Sequence, residues 1–402
     1  MGNNEIKIYS YRWIILALYF LITMIIEIQW LTFASIATAA QDFYNATPLQ
    51  IDFLSMIYMI VFIILSIPAA FIIDTYGLKK GLAIGAILTG IFSLMKAIFA
   101  ESYLAVAIAQ TGLAAAQPFI LNALTKVGAQ WFPRTERATV AGIGSLAQYI
   151  GIIIALAITP ILISQNANGL FDLKNMLMIY GVISVLGSIL LLLFFKEAPP
   201  TPPSTSEEAM RISPFAGMKI IFQSMDMKLV LIMFFIGLGI FNAVSTCIDQ
   251  ICGNLSMEET GMVGGIMLVG GVLGALIIPP ISDKLERRKP FLLICMAFML
   301  PGLIGLTYFT AFIPLMISAF IFGFFIMSAG PIGFQYGAEK SYPAPESISQ
   351  GFILLAGQIS GILFVFGVNS IGVFISMILF IILVVFNVFL TFRLSESFIK
   401  SK

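Results

Sequence analysis

Apolar residues run along this chain in long blocks, and short polar stretches punctuate them. Bounding the blocks by charge or by Pro, Gly and Asn predicts helices at 11–40, 48–73, 80–100, 103–130, 136–164, 173–195, 228–253, 258–282, 289–308, 312–339, 345–370 and 371–394. Most reach the length of about 20 residues that crosses a hydrocarbon core ~30 Å thick. The last two abut at Asn369–Ser370. The fold class predicted is an all-α polytopic membrane protein with twelve transmembrane helices. The first block begins too far in, and lacks the small-residue cleavage site, for a signal peptide.

One long interruption is polar. KEAPPTPPSTSEEAMRISP (Lys196 to Pro214) is rich in Pro, Ser, Thr and Glu and reads as a linker, with a short surface helix expected at 215–227. The predicted domains are therefore a six-helix bundle at 1–195, a cytoplasmic linker at 196–227 and a second six-helix bundle at 228–402.

Composition agrees with a lipid solvent. Of 402 residues, 59% are hydrophobic and only 10% are charged, where a soluble domain carries roughly 25%. There is no histidine and there are three cysteines. That argues against a disulfide framework and against a His-ligated metal or haem site, so no cofactor is expected. No nucleophile–base constellation marks an enzyme. The net charge of +1 identifies no partner, and nucleic acid is not expected. The distribution of charge says more. Of 21 Lys and Arg, all but Lys96 and Lys174 fall on one side when both termini are placed inside. This is the positive-inside pattern of a multi-pass protein, assigned here to the cell membrane.

Polar residues deep inside the apolar blocks are the candidate chemistry. Glu27 stands fifteen residues from both Arg12 and Asp42, the nearest charges, hence ~22 Å from either. Gln29 and Trp30 lie beside it. A carboxylate at the bilayer centre costs roughly 2.5–3.5 kcal/mol on insertion scales. Two states stand open for it: protonated in an apolar site, or ionised against a cationic cargo. Gln148, Asn242 and Gln358 also come out near mid-membrane, on the fifth, seventh and eleventh blocks. Each glutamine alone could equally tie two helices together, and Gln117 and Asn122 are taken as structural. An apolar pocket with a few convergent polar groups is the usual ligand site, and transporters place it at the midplane. GIGSLA at Gly142 has the outline of a dinucleotide fingerprint, but no strand precedes it, so close helix packing is expected there. The glycine run Gly261 to Gly274 is expected to serve the same end.

Two loops echo one another. DTYGLKKG begins at Asp74 and DKLERRKP at Asp283, each between the second and third helix of its half. Asp74, Gly77, Lys79 and Lys80, and again Asp283, Lys284, Arg287 and Arg288, resemble the G-x-x-x-D-[RK]-x-G-R-[RK] loop of the major facilitator superfamily. Ala70, Thr75, Leu78, Pro279 and Glu286 depart from it. The resemblance implies that fold, with these loops acting as cytoplasmic gating elements.

Several stretches resemble more narrowly the feline leukaemia virus subgroup C receptor family. They are IQW with YNATPLQIDFLSMIYM and IPAAFIIDTYGLKK, then ERATVAGIGSLAQYIG, FNAVSTCIDQI and PIGFQYGAEKSYPAPESISQGFILLAGQISGILF. The resemblance implies transport of choline, ethanolamine or a related small cation, with haem or a vitamin as alternative cargoes. It also implies a cage in which Trp30, Gln148 and Gln358 meet the cargo. Asn242 stands where that family has a Tyr, and Glu27 adds a carboxylate. Glu27, Gln29, Trp30, Gln148, Asn242 and Gln358 are the predicted substrate set. Facilitated and proton-coupled transport both remain, as does a non-transporting receptor. The chain is expected to act as a monomer.

Overall fold

The computed structural model describes residues 8–133, 136–165, 171–201, 221–285, 287–341 and 346–396. Among them, twelve helices are long and apolar enough to cross a membrane. Most of the linker, 202–220, and the Tyr342–Pro343 stretch lie outside the described residues.

The chain forms two compact units, Met1–Phe33 with Thr38–Glu208, and Ala34–Ala37 with Ala209–Lys402. In the first unit the helices are α1 Arg12–Trp30, α2 Ala37–Tyr44, α3 Pro48–Tyr76, α4 Leu78–Ile98, α5 Tyr103–Leu121, α6 Leu124–Trp131, α7 Arg137–Ile153 and α8 Lys174–Phe194. In the second they are α9 Met225–Thr246, α10 Ile248–Cys252, α11 Met257–Lys284, α12 Lys289–Tyr308, α13 Phe312–Ser341, α14 Glu346–Ile371 and α15 Val373–Arg393. Start residues are chemically marked. Thr47 caps α3 and Ser256 caps α11, each in a reciprocal capping box with Gln50 or Glu259. The predicted boundary at Asn369–Ser370 moves to Gly372, whose φ of +88° suits the residue without a Cβ.

The two units repeat one packing plan. In the first, α1 packs on α7, α3 on α5, and α4 on both α5 and α8. In the second, α9 packs on α14, α11 on α13, and α12 on both α13 and α15. By position in the half, these are the same four pairs. Small residues bring the helices together. A Cβ added at Gly270 or Gly274 would overlap the Phe320 and Phe324 carbonyls of α13, as the glycine run leads one to expect. In the GIGSLA string it is Gly144, against Leu124, that packs closely; Gly142 faces open space.

Four spans predicted as single helices are broken; the seventh stops at Thr246 and resumes at Ile248 as α10. The first stops at Trp30 and resumes through a 3-10 turn, Ala34–Ile36, into α2. The fourth stops at Leu121, three residues after Pro118. The fifth passes from α7 into a π turn, Ile154–Ile158, and a 3-10 turn, Thr159–Leu162. Pro160 lacks an N–H and cannot continue an α ladder there.

Candidate functional site

Glu27 sits on α1, 2% exposed. One carboxylate oxygen, Oε1, accepts a hydrogen bond from Gln117 Nε2 on α5 at 3.3 Å. No Lys or Arg pairs with it among the described residues. Gly151 on α7 lies against it, since a Cβ at that position would overlap Glu27 Cβ and the Met24 carbonyl. Gln148 is three residues earlier on α7, hence on the same face as Gly151. It is half-buried and has no hydrogen bond among the described residues. Gln117, read from sequence as structural, is thus the neighbour of the one deep carboxylate on α1. Asn122 is structural as expected, donating to the Ser66 carbonyl at 2.9 Å.

Trp30 ends α1. Its indole N–H donates to the Ser55 carbonyl at 3.2 Å, and Ser55 Oγ donates back to the Trp30 carbonyl at 3.2 Å. The ring is thereby fixed against α3, with 8% of the residue exposed. Gln29 goes elsewhere. Two residues from Glu27 is ~200° round a helix, so the two side chains leave opposite sides. Gln29 Nε2 donates to Ser184 Oγ at 2.9 Å and to the Tyr180 carbonyl at 3.4 Å, tying α1 to α8. Predicted among the substrate residues, Gln29 is fully buried in this interhelical tie, with no hydrogen bond to its Oε1 among the described residues.

The second unit has a matching seam. Gly239 on α9 meets Ser360 on α14, and Gly357 meets Leu238. Asn242 Nδ2 donates to the Gly357 carbonyl at 3.2 Å, and the residue is 6% exposed. Its neighbour in that seam, Gln358, is half-buried with no hydrogen bond among the described residues. Each unit therefore carries one uncommitted glutamine beside the crossing of its first and fifth helices.

The predicted gating loops prove to be anchored helix junctions. Gly77, at φ +106°, separates α3 from α4. The N–H groups of Leu78 and Lys79 donate to the two Glu197 carboxylate oxygens at 2.8 and 2.6 Å. Asp74 pairs with Lys126 at 3.3 Å, while Lys79 and Lys80 are exposed. In the second unit, Arg288 is 3% exposed and joins Asp283 and Glu339; Arg287 is exposed. The N–H groups of Arg288 and Lys289 donate to Glu396 at 2.9 and 3.1 Å. Glu197 lies three residues past α8 and Glu396 three past α15. Each is an anionic cap on the third helix of its own half, where free N–H groups and the dipole favour it. Sequence reading missed both; a Glu at the same offset in each half was the available signal.

Lys96 was also missed. Placed from sequence merely toward the outer side, it is fully buried on α4, beside Gln110.

A bundle with buried polar groups at helix crossings, repeated in two halves, is the architecture of a solute carrier. The family model for the Major Facilitator Superfamily matches residues 15–365, and the chain belongs to that superfamily. It is an integral, multi-pass membrane protein. An MFS-type transporter of Caenorhabditis elegans is 28% identical over 374 residues, covering 89% of this chain and 64% of its own. The choline/ethanolamine transporter FLVCR1 of Felis catus is 28% identical, covering 88% and 66%. Solute carrier family 49 member A3 of Danio rerio is 29% identical, covering 89% and 78%. The chain thus spans just under two thirds of the worm and cat relatives. The resemblance to the feline leukaemia virus subgroup C receptor family seen in the motifs holds across most of the chain. In fold, it is similar to a bacterial homologue of the human lysosomal transporter Spinster, with a TM-score of 0.75 at 14% identity over 96% of this chain and 97% of that one.

Proposed function

We propose that this chain is an alternating-access carrier of a small organic cation of the choline or ethanolamine kind. Its termini are cytoplasmic, and residues 196–227 link two six-helix halves on that side of the cell membrane. The relatives' names support the substrate class. The observation that carries the reading is the pair Gln148 and Gln358, with amides free of hydrogen bonds among the described residues and partly accessible. An unsatisfied amide facing hydrocarbon costs several kcal/mol. Such groups belong where water or cargo reaches them. Trp30 offers a π face to an ammonium, and the glutamines orient the polar end of the cargo. Asn242 lies in the second unit's seam beside Gln358.

Uptake of radiolabelled choline and ethanolamine into proteoliposomes tests this. Gln148→Leu and Gln358→Leu should each fold as the parent does and lose most uptake. Parent-like uptake by both variants would remove the glutamines from the site, and no uptake of either compound by the parent would sink the substrate class.

A second reading of the same site uses protons. Glu27 has an amide and no cation as its hydrogen-bonding neighbour. In that reading the carboxyl alternates between protonated and ionised forms as access alternates.

A further inference from the structure

Lys96 Nζ lies 3.2 Å from Gln110 Oε1, 3.4 Å from Thr32 Oγ1 and 5.5 Å from the centre of the Phe33 ring. Two neutral oxygens and a π face therefore account for its three protons. No carboxylate pairs with it among the described residues. A fully buried ammonium is costly to desolvate and needs negative charge near it. What stands there is the C-terminal end of α1. That helix stops at Trp30, leaving its last carbonyls as the negative pole of the helix dipole.

The groups that close this helix end are the groups that hold Lys96. Thr32 Oγ1 donates to the carbonyls of Ile28 and Gln29 at 2.8 and 3.2 Å, so its lone pairs are left for the ammonium. Gln110 Nε2 donates to the Gln29 carbonyl at 3.3 Å and to the Leu54 carbonyl at 3.1 Å, so its Oε1 only accepts, from the Tyr58 hydroxyl at 3.4 Å and from the ammonium. Gln29 and Leu54 directly precede Trp30 and Ser55, whose mutual hydrogen bonds fix the indole. The chain of contacts runs from Lys96 through Gln110 to both sides of the Trp30–Ser55 pair.

Where a transport helix breaks inside a membrane, its unwound carbonyls and C-terminal end commonly coordinate a small inorganic cation. Here a lysine from the neighbouring helix α4 occupies such an end. We propose that Lys96 is a tethered cation that does the work of a bound alkali ion at the break in the first span, and so acts as a positioning residue for Trp30. Its link to cargo capture rests on the reading that Trp30 meets the cargo.

The experiment uses the full chain in lipid nanodiscs with Trp13→Phe and Trp131→Phe, which leaves Trp30 as the only tryptophan. Emission is recorded for this parent and for Lys96→Met, Lys96→Ala and Lys96→Arg in N-methylglucamine chloride, then during titration with sodium chloride. Lys96→Met keeps length without charge. Lys96→Ala leaves room for an ion and its water. The parent should ignore sodium. Lys96→Met should shift to the red and stay shifted, whereas Lys96→Ala should shift and return saturably with sodium. In proteoliposomes, Lys96→Ala should raise the KM for choline by about tenfold without sodium, kcat changing less, and sodium should restore it.

Parent-like emission from Lys96→Met and Lys96→Ala in sodium-free buffer overturns the positioning role. A Lys96→Ala shift that sodium leaves untouched overturns the tethered cation. Should only Lys96→Arg give monodisperse protein, Lys96 serves the fold alone and the proposal falls. If the parent itself moves no choline, the substrate reading fails, while the emission arm still decides the matter of Lys96.

Discussion

Glu27 and Trp30 lie three residues apart on one helix, and their surroundings separate their roles. Glu27 has an amide neighbour and no basic one among the described residues. Glu27→Gln keeps the shape and removes the charge. If the carboxylate partners a cationic cargo, choline binding should weaken strongly; if it carries protons, binding should persist while pH-driven accumulation disappears. Normal transport by Glu27→Gln at every pH and gradient would make the residue structural. Trp30 is tested by the ring. A desolvated cation–π contact is worth roughly 2 kcal/mol, or about 30-fold in affinity. Trp30→Ala should lose that much in choline binding measured by calorimetry, and Trp30→Phe, which keeps a π face, much less. Equal losses would assign the effect to the lost indole hydrogen bond to Ser55.

At the scale of elements, the junctions and the crossings decide most. Gly151 lets α7 approach α1 at Met24 and Glu27. Gly151→Leu forces the helices apart, and such overpacking costs about 1–3 kcal/mol. Its thermal unfolding in detergent should fall below that of Gly142→Leu, which enters open space. An unchanged midpoint for Gly151→Leu would refute the close crossing. Glu197 and Glu396 cap equivalent helices in the two halves. Glu197→Gln and Glu396→Gln should each destabilise by about 1 kcal/mol, the worth of a helix cap. The double variant should show nearly the sum, because the caps share no partners. A loss confined to one of them would break the equivalence of the halves.

The whole molecule is two six-helix plans in one chain, and its orientation is a matter of charge. With nineteen of 21 Lys and Arg assigned to one side, the 196–214 stretch is expected to face the cytoplasm. In a chain whose three cysteines are replaced, Ser204→Cys should resist an impermeant maleimide on intact cells and react after permeabilisation. Labelling on intact cells would invert the topology.

Helix existence, the twofold plan and the membrane solvent were legible in the sequence because each depends on local hydropathy and on charge counting. All twelve spans were foreseen within a few residues. Helical rise predicts mid-membrane depths for Gln148, Asn242 and Gln358. What hydropathy cannot register is a break inside an apolar run. The stop at Trp30 depends on Thr32 and Gln110 covering carbonyls, and Gln110 arrives from another helix. Direction round the helix axis was only partly legible. It separates Glu27 from Gln29, but only packing shows that α8 takes Gln29 and α5 meets Glu27. Lys96 read as one charge near a helix end, and Glu197 and Glu396 as linker and tail. Their partners lie 14 to 64, 118 and 107 residues away in the chain, the nearest distances in each case being set by tertiary contact rather than by sequence neighbours. Local pattern determines which segments enter the membrane. Only the packing of those segments decides which polar group each buried charge meets, since that energy comes from residues brought together by the fold.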